Sequence, residues 1–191
     1  MNTRSKQPLE MPPFPLLNWT DYAWEFIEFF PSWQNFQANR QPSTGQIKIN
    51  IFVDGLGDRH PPLPEQAIAY QFLKENEQAV TNALLQGVFD RRLAIREVYF
   101  CNEPELNPPI DRIDDIRKII APHRIYFNSE SKDGCAYLGF AFDSVWDIEH
   151  GFGVIMHKTQ FIGWAEAEAA FNLDLAIENE SSWANHFTQL D

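Results

Sequence analysis

Between Cys135 and Trp164 the chain writes one pattern three times. CAYLGFAFD sets Leu138, Phe140 and Phe142 against Tyr137, Gly139 and Ala141, FGVIMHK sets Phe152, Val154 and Met156 against Gly153, Ile155 and His157, and TQFIGW closes the series. A period of two sends alternate side chains to opposite faces, and connections this short join antiparallel neighbours. The pattern predicts a three-stranded antiparallel meander, joined edge-on by a fourth strand from His123 to Asn128.

A second clear strand lies in GQIKINIFVDG, where Ile47, Ile49, Ile51 and Val53 alternate with Lys48, Asn50 and Phe52 before a glycine. After it, Ile68, Phe72, Val80, Leu84 and Val88 form an i, i+4 ladder widened by Ala69, Leu73, Ala83 and Leu85, which predicts one long helix over 64–89. Prolines before it and Glu65 in its first turn suit a helix start. Ile113, Ile116 and Ile120 predict a short helix over 111–120, and SESKDG reads as a polar turn. In NWTDYAWEFIEFFPSW, Tyr22, Phe26 and Phe29 or Phe30 recur at helical spacing behind a Thr20 cap, so a short helix is expected, with an aromatic-rich strand as the alternative. The tail is open both ways: Ala and Glu up to Phe171 favour helix, whereas Phe171, Leu173, Leu175 and Ile177 alternate like a strand.

These elements describe one α+β domain over 19–191. It has an antiparallel sheet, a meander of three to five strands, with the long helix packed on one face and shorter helices at the periphery. Residues 1–18 carry Pro8, Pro12, Pro13 and Pro15 and form an extended arm expected to pack through Phe14, Leu16 and Leu17. Trp19, Trp24, Trp33 and Phe36 read as core filling between arm and sheet.

Charge and motif content exclude several functions. The formal net charge is −12, and beyond Lys158 there is no Lys or Arg while Glu166, Glu168, Asp174, Glu178, Glu180 and Asp191 follow. Such a field repels phosphate backbones and anionic lipid, so neither nucleic acid nor membrane is an expected partner, and a basic protein is. No apolar run nears a membrane span, and no apolar segment follows the first basic residues, which points to the cytoplasm. Cys101 and Cys135 form no C-x-x-C and read as reduced structural thiols. The loop DGLGDRH lacks the dinucleotide-binding glycine pattern, and no G-x-S-x-G elbow occurs. No cofactor and no metal are expected.

One stretch concentrates chemistry: VWDIEHGFGV holds Asp147, Glu149 and His150 between Trp146 and two glycines. Titratable groups that converge on one point suit acid–base work or metal ligation. Glu149 and His150, however, are expected to diverge in a strand or a tight turn, and His123 or His157 could join only through the fold. As structure, Asp147 or Glu149 would accept backbone N–H bonds, Gly151 and Gly153 would allow positive φ or close approach, and Trp146 would bury its ring with its indole N–H on a carbonyl. As a surface, Trp146, Asp147, Glu149 and His150 would contact a partner. Asp147, Glu149 and His150 are the candidates for an enzyme reading.

The order of PSWQNFQ, the isoleucine strand, PLPEQAIAYQFLKENEQAV and AYLGFAFDSVWDIEHGFGVIMHK resembles a family of bacterial proteins of unknown function. Its mark is W-D-x-E-H-G-x-G-V, found here as Trp146, Asp147, Glu149, His150, Gly151, Gly153 and Val154, within a likeness that spans roughly residues 31–172. Family members often carry a cysteine two residues before the Trp, where this chain has Ser144. Such proteins are similar to small acidic proteins encoded near secreted bacterial toxins. The resemblance therefore implies a non-enzymatic protein-binding role as an immunity or accessory protein, with a hydrolase or metal-assisted enzyme using Asp147, Glu149 and His150 as the alternative.

Overall fold

The computed structural model describes residues 7–38, 41–53, 59–100 and 108–187. Among the described residues, seven strands form one sheet in sequence order. They are β1 (Asn18–Trp19), β2 (Ala23–Gln34), β3 (Thr44–Phe52), β4 (Ile120–Lys132), β5 (Cys135–Ser144), β6 (Phe152–His157) and β7 (Gln160–Ala165). Five helices among the described residues accompany them: α1 (Pro64–Glu75), α2 (Glu77–Asp90), α3 (Arg92–Phe100), α4 (Ile116–Ile119) and α5 (Leu173–Phe187), with 3-10 turns at Ile113–Asp115 and Ala167–Phe171. The fold is α+β, and its sheet is larger than three to five strands and not wholly antiparallel. β3 runs parallel to β4, with Ile49 beside Ile125 and Ile51 beside Phe127. A parallel pair needs a crossover, and helices α1 to α4 supply it.

Segment 23–34 is a strand, not a helix. Trp24, Phe26 and Phe30 are buried, whereas Ile27 and Phe29 point outward. This alternation accommodates the aromatics better than a helix stripe. Pro31 does not end it, because it falls in the irregular stretch between Phe29 and Gln34, beyond the part that β1 pairs. The long helix divides at Asn76, whose backbone leaves the helical region (φ −123°, ψ 22°) while its side-chain Nδ2 joins its own N–H on the Phe72 carbonyl (3.0 and 2.9 Å). Glu77, just beyond, accepts from the Ser32 N–H at 2.6 Å and fixes α2 against β2. The expected helix over 111–120 shrinks to the 3-10 turn and α4, and the strand begins already at Ile120 and runs through most of SESKDG to a turn at Asp133–Gly134.

Ile47, Ile49, Ile51, Leu138, Phe140 and Phe142 face the helix layer, where Trp33 stacks on Phe140 at 5.4 Å. Trp24, Trp33 and Phe36 are buried. Helix α2 reaches both ends of the sheet: Ser32 of β2 meets Thr81 at 2.9 Å, and Gly87 lies so close to Phe161 of β7 that a β-carbon would stand 2.1 Å from its ring. The sheet thus curls around this helix.

The opposite face of β4–β7 is also covered. Gly139, Ala141, Gly153 and Gly163 leave a shallow floor on which Ala167–Phe171 and α5 lie backbone-down; a β-carbon on Gly139 would fall 1.5 Å from the Ala170 oxygen, and on Gly163 2.2 Å from that of Ala176. The tail is therefore helical. Small residues Ala169, Ala170 and Ala176 face the sheet, while Phe171 and Ile177 are substantially exposed. In the arm, Leu9 and Leu17 exchange backbone bonds (2.9 and 3.0 Å), and Phe14 and Leu17 are buried, but Leu16 faces solvent. Cys135 is a buried free thiol that burial pushes up in pKa, whereas Cys101 and Asp54–Asp58 of DGLGDRH lie outside the described residues.

Candidate functional site

The signature turn leaves β5 at Ser144, whose Oγ accepts the Trp146 N–H at 3.0 Å. Val145 donates to the Ile119 carbonyl at 2.9 Å, which ties the turn to the start of β4. Trp146 is buried edge-on against Phe152, ring centroids 5.2 Å apart. Its indole N–H has no acceptor among the described residues, contrary to the expectation of a carbonyl partner. Being 2% exposed, Trp146 supports the turn from beneath and does not present itself to a partner.

Asp147 organises the turn. Its Oδ1 accepts the N–H groups of Glu149 (3.0 Å) and His150 (2.8 Å), and its Oδ2 lies 3.1 Å from His150 Nδ1. Gly151 N–H closes the loop on the Asp147 carbonyl at 3.0 Å. Gly151 has φ of 70°, where a β-carbon would both strain the backbone and stand 2.5 Å from the Phe142 oxygen. These bonds hold Ile148 at the tip, 80% exposed. An isoleucine in that state is the opposite of its usual placement.

Gly153 performs a different task. It admits the chain leaving β7, with the Glu166 carbonyl oxygen 2.4 Å from where a β-carbon would be. The Ala167 N–H then donates to the His150 carbonyl at 3.1 Å. This stitch brings Glu166 to the turn, and ligand atoms of Asp147, His150 and Glu166 all lie within 4.8 Å of one another, a set able to hold a metal ion. The hydrogen bond and negative charge of Asp147, followed by the charges of Glu166 and Glu149, raise the pKa of His150 above that of free imidazole. The Tyr99 phenol of α3 is pushed up by burial and then by the charges of Glu166 and Asp147.

Glu149 and His150 do not diverge to opposite faces: both line one cleft of about 270 Å³. Its other walls are His123, Asp143 and Glu168, with Tyr126, Phe142 and Phe171 as apolar lining. His123 Nδ1 stands 3.8 Å from Asp143. His157 is elsewhere, buried with Nε2 on the Lys132 carbonyl at 2.8 Å, so it does not join the turn. A larger cleft of about 480 Å³, lined by Leu85, Arg112, Ile113 and Arg117 among others, shares no residue with the signature.

Ile148, Glu166, Glu168, Tyr126 and Phe171 belong to this region, although none of them was a site candidate in the sequence. The signal for Glu166 was available in the glycines of β5, β6 and β7, which announce that another backbone must lie against that face.

A protein-family model described as a domain of unknown function (DUF6985) matches residues 24–169. No curated protein and no solved structure matches the chain.

Proposed function

The chain belongs to the DUF6985 family, and from that premise we propose that it acts by binding a basic protein, as an immunity or accessory protein of a bacterial toxin system. The single observation that carries this reading is Ile148, an apolar side chain 80% exposed on a turn whose backbone is locked by Asp147 and Gly151. A rigid apolar knob loses little conformational freedom on docking. Acidic groups ring it, Glu149 on the turn and Asp143 and Glu168 across the cleft, which favours a partner with Lys or Arg around an apolar pocket. The formal charge of −12 acts in the same direction at longer range.

The test is direct binding to a basic protein encoded beside this chain's gene, using wild type, Ile148→Asp and Glu149→Gln. Each substitution should weaken binding at least tenfold and leave the melting temperature unchanged. Equal affinity for wild type and Ile148→Asp would dismiss this surface as the contact.

A second reading has its own observation. His150, paired with Asp147, lines a cleft that Glu149 also lines, an arrangement suited to a hydrolase in which His150 moves a proton while Asp147 orients it. Loss of a measured turnover in Glu149→Gln and His150→Ala, with fold retained, would select this alternative.

A further inference from the structure

We propose that Asp147, His150 and Glu166 form a binding site for one divalent transition-metal ion of the zinc class. The donor set is one imidazole nitrogen and two carboxylates, contributed by two chain segments that meet only through the fold. Metal–ligand bonds of about 2.0–2.2 Å place neighbouring ligand atoms roughly 3–3.5 Å apart. His150 Nδ1 and Asp147 Oδ2 already stand 3.1 Å apart, so an ion can take the place of the proton between them with little movement. His150 and Glu166 are both exposed, and their side chains can rotate to close the remaining separation.

Two further features point to a cation. Asp147, Glu149 and Glu166 all act on His150, and among the described residues no Lys or Arg forms an ion pair with any of the three. The Glu166 carboxylate has no hydrogen bond or ion pair among the described residues, although the backbone around it is fixed by Gly153 and by the Ala167 to His150 bond. The cleft that His150 lines also leaves about 270 Å³ in which water, or a group from a partner, can complete the coordination. Calcium prefers six to eight oxygen ligands, whereas imidazole suits zinc and its neighbours. A bound ion would staple the signature turn to the connection between β7 and α5. The site does not depend on the partner reading, since it needs neither Ile148 nor Glu168.

Isothermal titration of the chelator-treated full chain with zinc chloride, manganese chloride and calcium chloride tests it. Zinc should bind once per chain, calcium at least tenfold more weakly, and Glu166→Gln and His150→Ala should each weaken zinc at least tenfold. Glu178→Gln, at an exposed carboxylate of α5 outside this cleft, should leave zinc affinity unchanged. A measurement on wild type alone guards against misfolded variants: cobalt(II) should shift the His150 imidazole protons in the NMR spectrum and spare His157, which the fold holds on Lys132. Absence of saturable zinc binding below about 1 mM, undiminished affinity in Glu166→Gln, or cobalt shifts on His157 in place of His150 would overturn the proposal.

Discussion

Gly153 and Glu166 pack backbone to backbone, with the Glu166 carbonyl oxygen 2.4 Å from the place a Gly153 β-carbon would occupy. The neighbouring atoms on that side are also main chain, the Ala170 nitrogen and the Ala167 oxygen, so no flexible side chain can yield. Gly153→Ala should therefore lower stability by about 3 kcal/mol, read as the shift of the urea midpoint at constant slope. A loss under ~0.5 kcal/mol would mean that the segment after β7 lifts away at little cost.

Asp147 carries two backbone N–H groups on one carboxylate oxygen. Asp147→Ala should cost about 1–3 kcal/mol, because both donors lose a charged acceptor. Asp147→Asn keeps an acceptor oxygen and should cost less than half as much. Equilibrium denaturation of the two variants checks the ordering, and an equal loss in both would assign the effect to charge and not to the turn bonds.

Gln66 is wholly buried at the start of α1. Its Oε1 accepts the Leu63 N–H at 2.8 Å, and its Nε2 donates to the carbonyls of Phe127 (3.0 Å) and Asn128 (3.1 Å) and to that of Phe52. One amide thus ties the helix start to the end of β3 and to the middle of β4. Gln66→Leu fills similar space yet leaves these groups unpaired, with an expected loss of about 2–4 kcal/mol. Hydrogen exchange should rise first at Leu63, and a neutral effect on stability would show that water replaces the amide.

Glu28 sits where β2 meets α1, its Oε2 2.6 Å from the Tyr70 hydroxyl and its Oε1 3.0 Å from Lys74 Nζ. Burial pushes its pKa up, but the hydrogen bonds of Tyr70 and Lys74, the Lys74 charge and the Phe29 N–H outweigh it, and the pKa falls below 4.5. A depressed folded-state pKa gives stability that is present above 4.5 and disappears as pH falls through the lower folded value. Wild type and Glu28→Gln should consequently differ in stability at pH 7 and converge as the pH falls through the lowered folded-state value, as thermal melts across pH would record. A constant difference would remove the carboxylate's charge from the explanation.

Much of this architecture was readable from hydrophobic period alone. The strands around Ile49, Phe140 and Val154 and the helical stripe through Leu84 follow directly from alternation and from i, i+4 recurrence. The failures have local causes. In β2, aromatic residues satisfied both periods at once, and pairing with β3 decided the matter. Asn76 broke a helix whose apolar stripe continues across it, where its backbone leaves the helical region and its side chain joins the Phe72 carbonyl. In the tail, Leu173, Leu175 and Ile177 suggested a strand, while the fully buried contacts with the sheet are Ala169 and Ala176, with Leu173 and Leu175 only partly buried beside them.

The candidate site was readable only in part. Spacing placed Asp147 over the backbone of its own turn correctly in kind, since an Asp two or three residues before an N–H reaches it without help from the fold. Glu166 lies sixteen positions beyond His150 and follows another strand, so only the register of β6 with β7 delivers it. Ile148 was passed over because an apolar residue among polar ones reads as core, and here it is not.

Helix α2 is gripped at Ser32 by the second strand and at Gly87 by the seventh, and Arg91 at its end pairs with Glu180 of α5. Those contacts join parts of the chain separated by as many as eighty-nine positions. Closing such distant loops is slow, because ordering entropy is spent before most of the contact energy returns. The clasp around α2 should therefore be a late event in folding and an early one to open under strain. Damage at either rim of the sheet would be felt at the other through this one helix.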